Sequence, residues 1–502
     1  MGVPPLDGWH ETLADAMVAA AAQLPGVEAY VDGDERLTFG AWIDRADALA
    51  AALVERGVRP GDVVAIMLPP SVDFAVAFAA VALVGGVATG LNTRLGPREV
   101  AAIVERCEPA LVVVDGPPPA GLPADAATVD RATLRALAAG PDRLGDRRHR
   151  GTEGDPAVIV WTSGTTGLPK GVWFDHRRLR AAVTTAGAMT DAFDRRLVSV
   201  PFAHAGYLAK VWEQLAWATT LVISPTPWSA ADMARLLVDE RISVAGAVPT
   251  QWAKLLEQPG LTGADVPALR IGVVATAPAP PELVERVVDR LGCFLVVRYA
   301  MTESPSISGT EPGDPPEVSY RTVGRPQAGL ELSIRRDDGT EVEPGGEVGR
   351  IHVRGTCVMG GYWREPELTA EVLDGDGWLR SGDLGHLDAD GNLVLSGRVG
   401  DMYIRGGYNV YPLEVENVLA EHPAVDTVAV VGAPTPVLGE RGVAFVVPAP
   451  GGPPPGLDEL RSWTVARLAD YKAPDQLELV EALPLTSMMK VDKLALKARL
   501  TT

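Results

Sequence analysis

The sequence predicts an α/β body of parallel and mixed sheets, followed by a β-rich subdomain and a small α+β unit. Strand-like apolar runs alternate with helix-like runs through the first four-fifths of the chain, the pattern of parallel strands with covering helices. From Gly324 the pattern becomes short alternating strands with turn signals, as in LELSIRRDDGTEVEPGGEVGRIHVRG and GWLRSGDLGHLDADGNLVLSGR. Beyond Arg398 a helical segment, PLEVENVLAEH, precedes a strand-like VDTVAVVGA and a Pro-rich PAPGGPPPG. A boundary near Val399 or Gly400 follows, giving residues 1–399, with the β-rich part at about 324–399, and residues 400–502. With 502 residues the chain exceeds what one core can organise, so two or three packed units are expected.

The elements of the body read in order. DVVAIMLPP is a buried strand ending in a Pro turn, and the apolar run from Phe74 to Ala88 reads as a buried helix. That run falls short of the ~20 residues that span a bilayer and holds a Gly pair, which argues against a membrane segment. ALVVVDG from Ala110 is the next strand. The stretch from Gly116 to Gly151, rich in Pro, Ala, Asp and Arg, reads as a surface excursion with one short helix and no function. AVIVWTS, VWEQLAWATTLVIS and LRIGVVAT followed by PPELVERVVDRLG continue the alternation.

A formal charge of -20 excludes the basic face that nucleic acid requires, so any phosphate site must be local. The opening MGVPPLDGWHETLADAM has no basic segment followed by an apolar stretch, so a cytoplasmic protein is expected. Cys107, Cys293 and Cys357 lie far apart, without metal or redox spacing, and read as reduced packing residues. A homodimer is compatible with the sequence.

The most informative segment is TSGTTGLPKG, Thr162 to Gly171. Gly164 and Gly167 let backbone approach a polyphosphate, Ser163, Thr165 and Thr166 supply hydroxyl donors, and Lys170 adds a positive charge. Composition alone also fits a flexible Ser/Gly turn. Further segments follow in order: PFAHAGY at 201–207, YAMTE at Tyr299–Glu303, GRIHVRGTCVMGGYW ending at Trp363, SGDLG from Ser381, GRVGDMYIRGGYNVYPLEVE from Gly397 and LPLTSMMKVDK from Leu483. Together they resemble the superfamily of acyl-CoA synthetases, nonribosomal-peptide adenylation domains and luciferases, over nearly the whole chain, with acyl-CoA ligases nearest in look.

The resemblance implies a large N-terminal body of two parallel or mixed sheets, a mobile C-terminal domain, and an enzyme that uses ATP to make an acyl-adenylate and passes the acyl group to coenzyme A. It implies that Thr162–Gly167 and Lys170 hold ATP phosphates, Thr302 meets the α-phosphate, and Tyr299 lies against adenine. It also implies that Asp383, assisted by Arg398, holds the ribose hydroxyls, and that Glu303 carries Mg2+, a cation suited to carboxylate and phosphate oxygens. Lys490 matches the catalytic lysine of the C-terminal domain, where isolated reading would give a surface charge and Lys493 competes for the role. Gly400 matches the hinge, and Gly406, Gly407 and Tyr408 the pantetheine tunnel. His204 matches a residue between acyl pocket and thiol tunnel, its bland alternative being a helix-start histidine satisfied by a backbone carbonyl.

The acyl pocket is expected along Ala205 and Gly206, Ala247 to Gln251, Ala275, Thr276 and Ala277, Ala300, and Ser304 to Ile307. These mostly small residues point to a bulky, largely apolar acid, polycyclic or aryl. Three positions depart from the family pattern: ATAPAP at Ala275, Leu485 where Arg is frequent, and Met489 where Gly commonly precedes the lysine. They leave open a relative specialised for one half-reaction, using a preformed adenylate, or one loading a carrier protein. A non-catalytic binding protein should have lost Glu303 or Lys490, and both are present.

Overall fold

The apolar run from Phe74 to Ala88 makes two elements, not one helix. In the computed structural model the helix spans Val72–Val84, with Ser71 capping its start, and stops where Gly85 takes the left-handed conformation (φ +81°). The chain then re-enters the sheet as the strand Val87–Gly90. The Gly pair is therefore a helix stop and a turn, and the helix, buried on all sides, packs inside the body. The structure describes residues 3–162, 169–274, 281–405, 408–435, 439–486 and 490–500, and the side chains of all these except 250, 281, 282 and 409. Among them no helix is long and apolar enough to cross a membrane.

Two large sheets form the body. One has seven strands, in the order 361–362, 170–175, 156–162, 87–90, 63–67, 111–114 and 128–130, of which the five from 156–162 to 128–130 run parallel. The other has nine, in the order 325–326, 304–309, 294–301, 271–274, 244–247, 195–198, 220–223, 28–32 and 35–38, with six parallel strands between antiparallel edges. The central parallel strands Val63–Met67 and Leu111–Val114 are continuous apolar runs because both faces are covered. A helix at Pro97–Cys107, with Val100, Ile103, Val104 and Cys107 buried at i, i+3, i+4 and i+7, crosses between two of them and went unread in the sequence.

The excursion from Gly116 to Gly151 does more than loop over the surface. Its β-branched Thr128 and Val129 add an edge strand to the seven-stranded sheet. Arg131 and Arg135 of the helix that follows bond the carboxylate of Asp73, at 2.5 and 2.8 Å, in the first turn of the buried helix. All three cysteines are buried and unpaired, as the sequence indicates.

The β-rich part is an antiparallel sheet of Leu330–Arg335, Gly349–Gly355, Leu379–Leu387 and Leu393–Arg398. The last sheet combines Tyr403–Arg405, Tyr408–Val410, Val425–Thr435, Gly439–Pro448 and Gln476–Leu479, with a core that includes Tyr403, Val430 and Val446.

A glycine of the seven-stranded sheet meets the loop that leaves the strand Arg195–Val198 of the other. A Cβ at Gly90, the last residue of its strand, would stand 2.5 Å from the Cα of Ala203, the residue before His204. Backbone cannot yield as a side-chain tip can, so Gly90→Val should lose about 1–3 kcal/mol by overpacking. Urea unfolding checks this, and an unchanged midpoint would show that the contact is loose.

Candidate active site

Parallel strands deliver their following loops to one edge, and in open α/β sheets ligands bind in the crevice outside the carboxyl ends. Four of the segments singled out in the sequence, those holding Thr162, His204, Gln251 and Thr302, leave such an end, whereas SGDLG lies in the antiparallel β-rich sheet. Thr162 ends one strand of the seven-stranded sheet, and Lys170, its cross-strand partner, begins the antiparallel return. His204 follows the strand Arg195–Val198, Gln251 follows Val244–Ala247, and Thr302 and Glu303 form the tight turn that joins Phe294–Met301 to Ser304–Gly309. Ser163, Gly164, Thr165, Thr166 and Gly167, Ala275, Thr276 and Ala277, and Gly406 and Gly407 lie outside the described residues.

The chain leaving the Gly-rich segment is fastened at Pro169 and Lys170. Arg106 donates to the Pro169 carbonyl at 2.6 Å and pairs with Glu365 at 3.2 Å. The Lys170 ammonium lies 5.1 Å from the ring centroid of Tyr362, within cation–π reach. The Tyr362 hydroxyl donates to Glu303 Oε1 at 2.9 Å, and the Glu303 carbonyl accepts from the Met359 N–H at 2.8 Å. Lys170 and Glu303 are thus brought together through Tyr362, a residue sequence reasoning passed over although it sits in the GGYW motif. One oxygen of Glu303 takes the tyrosine and the other is left for a ligand. No cluster of three metal-type side chains exists among the described residues, so Glu303 fits a cation shared with phosphate oxygens, as magnesium is usually held, not one caged by protein.

Tyr299, Asp383 and Arg398 form one network. The buried Asp383 accepts from the Tyr299 hydroxyl at 2.5 Å and from Arg398 Nε at 2.6 Å, one on each oxygen. Tyr299 belongs to the nine-stranded sheet, whereas Asp383 and Arg398 face each other across two strands of the β-rich sheet. Burial, then the neighbouring Asp383, drives the Tyr299 hydroxyl well above its ordinary pKa, so it remains a donor. The ion pair and the tyrosine bond orient the carboxylate, each of whose oxygens keeps a further lone pair for hydroxyl donors.

Lys490 stands at the mouth of this group. Its loop is closed by a bridge between Leu485 and Val491, and Thr486 and Lys490 exchange two bonds, at 2.7 and 3.3 Å. The residue is exposed as a whole, yet its ammonium lies deep enough for burial to lower its pKa, with Arg398 adding to the shift and Asp383 and Glu303 opposing it. Lys493, the competitor in sequence, is engaged elsewhere, 2.7 Å from Glu416 and 3.8 Å from Asp401.

His204 is the N-cap of the short helix Ala205–Leu208, and its Nδ1 accepts the Gly206 N–H at 3.1 Å. This is a cap made through an N–H, not the carbonyl contact expected of a helix-start histidine, and it leaves Nε2 as the donor. Burial, then the charge of Lys490, lowers the His204 pKa from 6.5 to about 4, so the ring is neutral near pH 7.

The remaining expected residues are dispersed. Ala205 is buried and Gly206 exposed, while Gln251 spends its carbonyl on the Val248 N–H at 3.1 Å as a helix cap. Ala300 is exposed, Ser304 is buried with its hydroxyl on the Ser306 carbonyl at 2.9 Å, and Ile307 packs in the main core. Tyr408 is exposed and stacks on Tyr471 at 4.5 Å within the C-terminal sheet region. Gly400 is exposed, and neither a positive φ nor a neighbour within 4 Å requires glycine there.

Comparison with known proteins places this geometry. Residues 17–363 match the AMP-binding enzyme family and residues 414–490 its C-terminal domain. A methyl-dioxo-octahydroindenyl-propanoyl:CoA ligase of Mycobacterium tuberculosis is 36% identical, covering 96% of this chain and 97% of its own. A feruloyl-CoA synthase of an Amycolatopsis species is 35% identical, covering 96% and 98%. The ATP-bound crystal structure of MatB from Rhodopseudomonas palustris superposes with a TM-score of 0.89 at 28% identity, covering 97% and 98%, against 0.80 for its apo form.

In a titration followed by NMR, His204 should protonate with a midpoint near 4, below its ordinary 6.5. Because the folded value is depressed, the stability His204 contributes is present above about pH 6.5 and is lost as pH falls towards 4. Lys490→Met removes a cationic neighbour and should raise the midpoint, still short of 6.5 because burial remains. A midpoint that does not rise in that variant would separate the two side chains.

Proposed function

The chain belongs to the family of AMP-binding enzymes, and from that membership we propose that it joins a carboxylic acid to coenzyme A through an acyl-adenylate. A carboxylate oxygen of the acid attacks the α-phosphorus of ATP and pyrophosphate leaves. The CoA sulfur then attacks the acyl carbonyl and AMP leaves with the oxygen it gained.

The observation that carries this reading is the network of Tyr299, Asp383 and Arg398, with Lys490 close enough for its charge to act on His204 and to feel Arg398, Asp383 and Glu303. The Gly-rich segment and Lys170 hold phosphates, and Thr302 meets the α-phosphate beside Glu303. Asp383, held by Tyr299 and Arg398, takes the ribose hydroxyls. Tyr299 thus acts by orienting Asp383, besides bordering the adenine. Magnesium, when bound at Glu303, shields phosphate charge from the incoming carboxylate. Lys490 places its ammonium where negative charge gathers between carboxylate and phosphate, an arrangement effective in a site depleted of water. Its lowered pKa follows from burial first, yet nearby Asp383 and Glu303 keep the charged form favoured.

Neutral His204 borders the acyl group and the thiol path as a donor through Nε2. Thioester formation asks for a second pose, in which residues 400–502 turn about Gly400 and carry Gly406, Gly407 and Tyr408 to the crevice. The acid is bulky and largely apolar, polycyclic or aryl. The ring-bearing acids named for the relatives, a dioxo-octahydroindenyl propanoate and ferulate, support that class.

ATP–pyrophosphate exchange with aryl, fatty and polycyclic acids, with and without CoA, tests the reading. Lys490→Ala should reduce exchange about 10²–10³-fold while affecting thioester formation from supplied acyl-adenylate far less. Exchange untouched by the substitution would remove Lys490 from the adenylating step.

A further inference from the structure

One buried cation has no part in the chemistry above. Lys210 lies between the short helix that His204 caps and the helix Val211–Trp217, with its side chain only 14% exposed. Its ammonium donates to Ser306 Oγ at 2.7 Å. The nearest carboxylate, Glu213 Oε2, is 3.8 Å away, too far for a hydrogen bond. Glu213 bonds Arg196, at 2.8 Å, and the Thr190 hydroxyl through its other oxygen, while Oε2 itself has no hydrogen-bond partner among the described residues.

The charges in this region do not cancel. Lys210 and Arg196 share Glu213, Arg298 pairs with Glu311 at 3.1 Å, and Arg178 pairs with the buried Asp175. Cys357 adds no counter-charge, since burial raises its thiol pKa. One positive charge remains without a carboxylate of its own, and it sits on a group with three N–H donors of which one is clearly used. Burying an ammonium in this state is costly unless an acceptor completes it. Burial indeed lowers the Lys210 pKa.

The space beside that ammonium has the shape of a subsite. Lys210, Ser306, Cys357 and Thr185 border a water-sized cavity whose other walls include Leu179 and Ala182. The Thr185 hydroxyl, fully enclosed, has no hydrogen-bond partner among the described residues. The cavity, which Arg178 also lines, therefore offers an ammonium and an unused hydroxyl beside apolar walls, in a volume that takes one oxygen atom and not a ring. Pro305 and Ser306, which line it, belong to the segment Ser304–Ile307 assigned above to the acyl pocket, and Ala209 and Lys210 follow Ala205–Gly206 in the chain.

We propose that Lys210 and Ser306 form the distal subsite of that pocket, and that the acid carries an oxygen acceptor, a ketone or a second carboxylate, remote from the carboxyl that is activated. The inference rests on the acyl-CoA ligase reading and sharpens it, because the substrate is then apolar in its middle and polar at both ends.

Three acids of one skeleton test it: cyclohexyl-propanoic acid, its ring-ketone derivative and its ring-carboxylate derivative. Each is assayed by pyrophosphate exchange and by CoA-thioester formation with the full-length wild type and with Lys210→Met. The wild type should favour one of the two acceptor acids over the parent by about ten- to a hundredfold in kcat/KM, the range of a hydrogen bond to a charged group. The preferred derivative tells ketone from carboxylate. Lys210→Met should erase most of that preference, while thermal unfolding reports whether the variant is folded. The wild-type comparison stands even if it is not. Equal use of all three acids by the wild type, or an equal loss on all three in a folded variant, would overturn the subsite. Exchange with none of these nor with any other acid would instead remove the ligase reading, and the subsite with it.

Discussion

The site depends on a single buried carboxylate. Asp383 is bonded on one oxygen by Tyr299 and on the other by Arg398, and these three residues tie the nine-stranded sheet to the β-rich sheet immediately before the chain leaves the body. A buried ionised group without partners would be prohibitively costly, so the bonds are a condition of the fold as well as a means of aiming the carboxylate. Arg398 is two residues from Gly400, so the last anchored point of the body and the proposed pivot are nearly the same place.

Around that point the architecture explains why so many functional segments converge. Parallel strands in two sheets release their loops at their carboxyl ends, and the close approach of Gly90 to Ala203 brings the two edges together. The C-terminal unit supplies Lys490 to this edge in the pose described, while Lys493 is engaged with Glu416 and Asp401. Two lysines three residues apart thus have different tasks because one faces the crevice and the other faces carboxylates of its own surroundings.

Much of this was legible in the sequence. Continuous apolar runs gave the parallel strands, and ordered motifs gave the family, because both depend on residues close together in the chain. The misreading of Phe74 to Ala88 has a physical reason: Ala and Val serve buried helix and buried strand alike, and only the Gly pair marks the change. The helix Pro97–Cys107 did announce itself, by apolar residues at helical spacing, and was overlooked. Contacts between distant segments were not legible. Tyr362 meets Glu303 and Lys210 meets Ser306 across 59 and 96 residues, and no local pattern records such a pairing. His204 was found by its motif, but its use of Nδ1 as a helix cap is a matter of local backbone geometry.

The central claim is that the acid is activated as an adenylate, and an oxygen label tests it most directly. Acid carrying heavy oxygen in its carboxyl group, incubated with the enzyme, ATP and CoA, should give AMP bearing one labelled oxygen, found by mass spectrometry. The attacking carboxylate oxygen stays on the α-phosphorus when the thioester forms. Label appearing in inorganic phosphate, or CoA-thioester accumulating beside unlabelled AMP, would contradict the account.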